Sequence, residues 1–188
     1  DVGEPEPSST LPGPFLSADP SDPPGPSLVG EGLVGTDLLW RRITTGQLAL
    51  WDMDGTSQAG FHWITGVSDT NWRVVGTADL TGDSGPDIVW RNISTGQNAV
   101  WEMDGVTNLA LHWLPRVNDT QWEIVGVGDL TGDGKADLLW RKSTTGDNAV
   151  WEMDGLSHVN THWLSKVPDP TWEVRAVGDV TGDAKTDI

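Results

Sequence analysis

Trp122-Glu-Ile-Val-Gly-Val-Gly-Asp129-Leu-Thr-Gly-Asp133-Gly-Lys-Ala-Asp137-Leu-Leu-Trp140-Arg141 reads as a strand, a tight acidic loop and a second strand. β-Branched and apolar residues run up to Asp129, a Gly-containing turn follows, and the run after Asp137 shows no helical period. The same loop recurs as Asp79-Leu-Thr-Gly-Asp83-Ser-Gly-Pro-Asp87 and as Asp179-Val-Thr-Gly-Asp183-Ala-Lys-Thr-Asp187, fifty residues apart with no insertion or deletion. A fixed period of that length marks a repeat architecture, so one copy stands for the chain.

Outward from this stretch, Ser143-Thr-Thr-Gly146 is a polar turn and Asn148–Met153 a third strand. Asp154-Gly155 is a hairpin signal, residues 159–164 make a fourth strand, and Pro168-Asp-Pro170 leads to the next copy. The expected fold class is therefore all-β, with about three four-stranded antiparallel blades of fifty residues, as in a β-propeller. The units run over about 38–87, 88–137 and 138–187 within a repeat region of 28–188. Residues 1–27 hold eight of the twelve prolines and are expected to form an extended arm or linker. Tryptophan recurs at 40, 90 and 140, at 51, 101 and 151, at 63, 113 and 163, and at 72, 122 and 172. With no tyrosine and two phenylalanines, these twelve carry nearly all aromatic packing and are expected to fill the space between blades.

A formal charge of −17 argues against nucleic acid and anionic membranes as partners, since phosphate recognition needs a basic footprint. No stretch is long and apolar enough for membrane insertion as a helix. Without cysteine there is neither a disulfide framework nor thiol chemistry. The first residue is Asp1 rather than methionine, which fits a secreted or cell-surface product after removal of a targeting peptide.

Nine of the 28 acidic residues lie in the three loops, so part of the acidity is a demand for cations. Carboxylates at loop positions one, five and nine, a hydroxyl at three and a glycine turn between them gather hard oxygen donors, which suits calcium better than magnesium. About three calcium ions per chain are expected.

With its acidic loop between two strands and the run Asp-Leu-Leu-Trp-Arg, the chain resembles the FG-GAP-like, or VCBS-like, repeat family over residues 37–188. Blades of this kind occur in integrin α-subunits and propeller lectins. The resemblance implies calcium ligands at Asp79, Thr81, Asp83 and Asp87, at Asp129, Thr131, Asp133 and Asp137, and at Asp179, Thr181, Asp183 and Asp187. Position three is often Asp or Asn in the family and is Thr here, which moves the expected affinity toward about 10⁻⁴–10⁻³ M. Fifty residues upstream, the equivalents of Asp79, Asp83 and Asp87 are Val29, Leu33 and Asp37, so that copy is expected to hold no metal.

In the family's strand order, residues 38–64 supply the outer three strands of a blade, while the proline-rich 22–30 stands where its inner strand belongs. Trp172–Val180 reads as an inner strand. Because a ring takes roughly four to eight blades, closure is expected by strand exchange with other copies, head to tail in a ring or filament, or within a larger propeller.

His62, His112 and His162 each precede a tryptophan of the outermost strand, one per blade, which argues against a shared zinc site. Together with Trp63, Trp113 and Trp163 they are candidate ligand-binding residues, and the resemblance to lectins suggests glycans. Arg41, Arg91 and Arg141 are expected to pair across strands with Asp52, Glu102 and Glu152. Every polar group repeats, no catalytic constellation stands out, and the chain is expected not to be an enzyme. Asn92-Ile-Ser94 and Asn118-Asp-Thr120 match the glycosylation pattern.

Overall fold

The structure, a computed structural model, describes residues 37–179, 181, 186 and 187. The expectations for residues 1–27, for the 22–30 stretch, for Val29 and Leu33, and for Val180 and Asp183 fall outside them. All regular structure among the described residues is strand. The chain divides into two compact units, Asp1–Thr70 and Asn71–Ile188.

In the first unit, β1 (Leu38–Arg41), β2 (Leu48–Asp54) and β3 (Ser57–Ile64) form an antiparallel sheet in the order β1-β2-β3. The Asp54-Gly55 hairpin closes β2 on β3, with Gly55 at φ 59°.

The second unit holds two four-stranded blades. One contains β4 (Trp72–Ala78), β5 (Asp87–Asn92), β6 (Asn98–Asp104) and β7 (Thr107–Leu114). The other contains β8 (Trp122–Gly128), β9 (Asp137–Lys142), β10 (Asn148–Asp154) and β11 (Ser157–Leu164). Both are meanders, so sequential strands pair and each acidic loop joins the innermost strand to the second. Their shared core takes Val89, Val100 and Leu114 from one blade and Leu138, Trp140 and Ala149 from the other. At the inner strands the blades approach where only glycine fits. A Cβ on Gly76 would stand 2.6 Å from Val127 Cγ2, and one on Gly126 would stand 2.5 Å from Val177 Cγ1.

Two expectations are corrected here. Among the described residues tryptophan is buried at Trp90 and Trp140, 1% and 2% exposed, and at Trp101, with Trp122 and Trp151 partly buried against the same core. Trp63, Trp113 and Trp163, on the outermost strands, remain 48%, 44% and 70% exposed. Residues 172–177 form no ladder, and the stretch is tied by a single bridge between Gly178 and Asp187. The partner that completes an inner strand elsewhere, Ile88–Asn92 or Leu138–Lys142, has no counterpart among the described residues.

The arginines also depart from expectation. Register sets Arg91 opposite Asn98 and leaves Glu102 four residues further along β6, roughly 13 Å away at strand rise. Arg91 instead donates to Asn98 Oδ1 at 2.9 Å, to Gly96 O at 3.2 Å, and to Val117 O and Asp119 O at 3.4 and 3.3 Å. Its guanidinium also stacks 4.8 Å over the Trp140 ring of the next blade. Burial pulls its pKa below the ordinary arginine value, with Glu123 and Asp119 opposing. Arg141 binds Asn148 Oδ1, Val167 O and Trp172 O in the same way, and Arg41 binds Val67 O. In each repeat the arginine clamps the segment that follows the outer strand.

Candidate metal centre

The first acidic loop is organised by its own carboxylates. Asp79 Oδ1 accepts from Gly82 N at 2.6 Å and Oδ2 from Ser84 N at 2.9 Å, while Asp83 Oδ1 accepts from Gly85 N at 2.7 Å. Asp87 plays another part. It is 0% exposed, its Oδ2 accepts from Leu80 N and Thr81 N at 2.9 Å each, and its Oδ1 accepts from Met103 N at 3.2 Å on β6. Position nine thus staples the loop to the third strand of the blade through a buried charge with three donors.

The second loop repeats this. Asp129 accepts from Gly132 N, Asp133 N and Gly134 N, and Asp133 Oδ1 accepts from Lys135 N. Asp137, also 0% exposed, accepts from Leu130 N, Thr131 N and Met153 N at 3.0, 2.9 and 2.9 Å. In the third, Thr181 N donates to Asp187 Oδ2 at 2.8 Å. Position six of the loop is left-handed in both complete copies, as Ser84 at φ 74° and Gly134 at φ 87°. The serine holds a conformation that costs it about 1–2 kcal/mol relative to glycine.

The model of the FG-GAP-like repeat matches residues 79–140, from the first acidic loop to the strand after the second. That segment is similar to an FG-GAP-like repeat. No curated protein and no solved structure matches the chain. The match spans the linking unit between two acidic loops, which is the part of the chain where both four-stranded blades meet.

The FG-GAP-like segment meets a divalent ion's needs unequally. Among the described residues, no three His, Asp or Glu side chains converge on one point. What fits calcium is an orphan: Thr81 Oγ1 is buried with no hydrogen-bond partner, at loop position three. Beside it in the loop, Asp79 and Asp83 are exposed carboxylates, while Asp87 stands behind them with its oxygens already accepting amides. Asp79, Thr81 and Asp83 would hold the ion, with Asp87 fixing the loop and offering its remaining lone pairs. Bound there, the ion would neutralise the Asp79 and Asp83 carboxylates.

The histidines pair with the acids that the arginines leave. His112 Nε2 lies 2.7 Å from Glu102 Oε2, His62 Nε2 2.7 Å from Asp52 Oδ2, and His162 Nε2 2.6 Å from Glu152 Oε2. Glu102 is opposite Ala110 and His112 opposite Val100, so each pair is a diagonal contact on one face. Hydrogen bonding from His162 holds the Glu152 carboxyl below its ordinary pKa. Trp113, next in sequence to His112, points to the opposite face and packs 5.9 Å from Trp72, and Trp163 likewise lies 5.9 Å from Trp122. Histidine and tryptophan of one strand therefore do not line one pocket. Of the two glycosylation matches, Asn92 is buried with its Oδ1 bonded to Ser94 N and Thr95 N, whereas Asn118 is exposed.

Sequence reasoning missed the staple, although a signal was present. Asp37 persists where positions one and five have become Val29 and Leu33, and its Oδ1 still accepts from Met53 N at 3.0 Å. An aspartate kept without its metal partners has a structural reason to be there.

Proposed function

We propose that the chain is a calcium-stabilised β-propeller-type binding module of the extracellular space that recognises glycans on cell surfaces or in the matrix and catalyses nothing. The observation that carries this reading is the tryptophan pair at the margin of each blade, Trp72 with Trp113 and Trp122 with Trp163, in which the outer ring stays accessible. Large amphipathic rings held rigid by a second ring offer a flat apolar face to the C–H side of a sugar at little entropic cost. A calcium site with three protein carboxylates at most fills at the millimolar calcium found outside cells, which supports the compartment.

Binding to a panel of immobilised mono- and oligosaccharides, followed by quenching of tryptophan fluorescence, tests it. At least one sugar class is expected to bind, and Trp113→Ala with Trp163→Ala is expected to weaken it by about ten-fold, equivalent to about 1.4 kcal/mol of lost ring contact. Silence across the panel, or equal binding by a folded double variant, ends the glycan reading.

One observation favours a second reading, head-to-tail assembly. Among the described residues the β1-β2-β3 sheet has three strands where the other blades have four, and Leu38 and Trp40 of β1 are exposed where Ile88 and Trp90 are buried. An inner strand from another copy would cover them. Light scattering at several concentrations is expected to show a discrete oligomer or a growing filament, and a monomer at all of them removes this reading.

A further inference from the structure

We infer that Lys135 is a built-in counter-ion of the second acidic loop, so that the loop at 79–87 is the stronger divalent-cation site and the loop at 129–137 the weaker. The inference rests on the calcium reading above and ranks the sites within it.

Lys135 Nζ lies 2.8 Å from Asp154 Oδ1 in the neighbouring hairpin and 4.0 Å from Asp133 Oδ2 in the loop itself. A lysine is an ammonium at neutral pH, and Asp154 is its nearest counter-charge. A positive charge therefore already stands beside one of the two accessible carboxylates. The first loop has Gly85 at this position, with no side chain to play that part.

The hydroxyl at position three differs in the same sense. Thr81 Oγ1 is buried and unpartnered, whereas Thr131 is exposed to solvent. A divalent ion entering the first loop meets two carboxylates free of any ammonium and an oxygen in need of a partner. An ion entering the second must share Asp133 with Lys135 or displace it. Both lysine and aspartate are partly exposed, so solvent screens the competition and its scale is a few-fold rather than orders of magnitude.

Calcium chloride titration of the ¹⁵N-labelled chain, followed at the amides of Gly82 and Gly85 against those of Gly132 and Gly134, reads both loops at once. The first loop is expected to reach its midpoint at about three- to ten-fold lower calcium than the second. Lys135→Gly, which copies the first loop, and Lys135→Gln, which keeps most of the side chain, are each expected to bring the second midpoint to within about two-fold of the first. Equal midpoints in the unmodified chain, or a gap that survives both substitutions, overturn the role of Lys135. No shift at either loop up to about 10 mM calcium overturns the calcium reading itself, a result distinct from a wrong ranking.

Discussion

Replacing Asp137 with alanine is expected to lower the stability of the Asn71–Ile188 unit by about 3–5 kcal/mol, against about 1 kcal/mol for Asp129→Ala in the same loop. The difference lies in where the two carboxylates sit. Asp137 is fully buried and accepts from Leu130 N, Thr131 N and Met153 N, so its loss leaves a buried amide on another strand and two part-buried loop amides without their acceptor. Asp129 accepts from amides of a solvent-facing turn, which water can satisfy once the carboxylate is gone. Urea unfolding followed by tryptophan fluorescence, run in chelator so that no metal contributes, compares the two variants directly. Equal losses would show that position nine serves the loop only as another turn residue.

Gly96→Ala is expected to cost roughly 2–4 kcal/mol, and Gly105→Ala about 1 kcal/mol. Both glycines are left-handed, at φ 77° and 56°, so the backbone penalty is shared. Only Gly96 has its space taken: a Cβ there would lie 2.0 Å from Val117 O, whereas nothing lies within 4 Å of one on Gly105. Gly96 O also accepts from Val117 N at 3.0 Å and from Arg91 Nη1 at 3.2 Å, so moving the turn releases the segment between the blades. Thermal unfolding of the two variants separates clash from conformation. If their midpoints fall together, the contact with Val117 contributes nothing.

The same contact repeats at Gly46 with Val67 and at Gly146 with Val167, which shows how the repeat is held together. Each blade is a meander that could form locally. What sets one blade against the next is the glycine turn, the arginine clamp and the Trp140 ring beneath Arg91. The outer strand enters that seam only through its last residue, Leu114, and the Trp113 and Trp163 rings stay exposed.

Strand positions were legible because alternation, turn residues and an unbroken period all pointed one way. The second, third and fourth strands were read at Leu138–Arg141, Asn148–Met153 and 159–164, and they stand at Asp137–Lys142, Asn148–Asp154 and Ser157–Leu164. The acidic loops were equally plain, since Asp-x-Thr-Gly-Asp carries its own turn geometry. Partnerships were not legible. Arg91 precedes its acid candidate by eleven positions in sequence, and only the register, with Asn98 opposite, shows that Asn98 meets the arginine and His112 meets Glu102.

Local chemistry thus settled the repeat, the all-β blades, the hairpins and the acidic loops, because each depends on residues within a few positions of one another. Tertiary structure decided which carboxylate is buried as a staple and which faces solvent, which tryptophans pack and which stay open, and that Lys135 leans on Asp154 beside Asp133. Those outcomes turn on strand register and on how closely one blade approaches the next, and both are set by contacts between residues far apart along the chain.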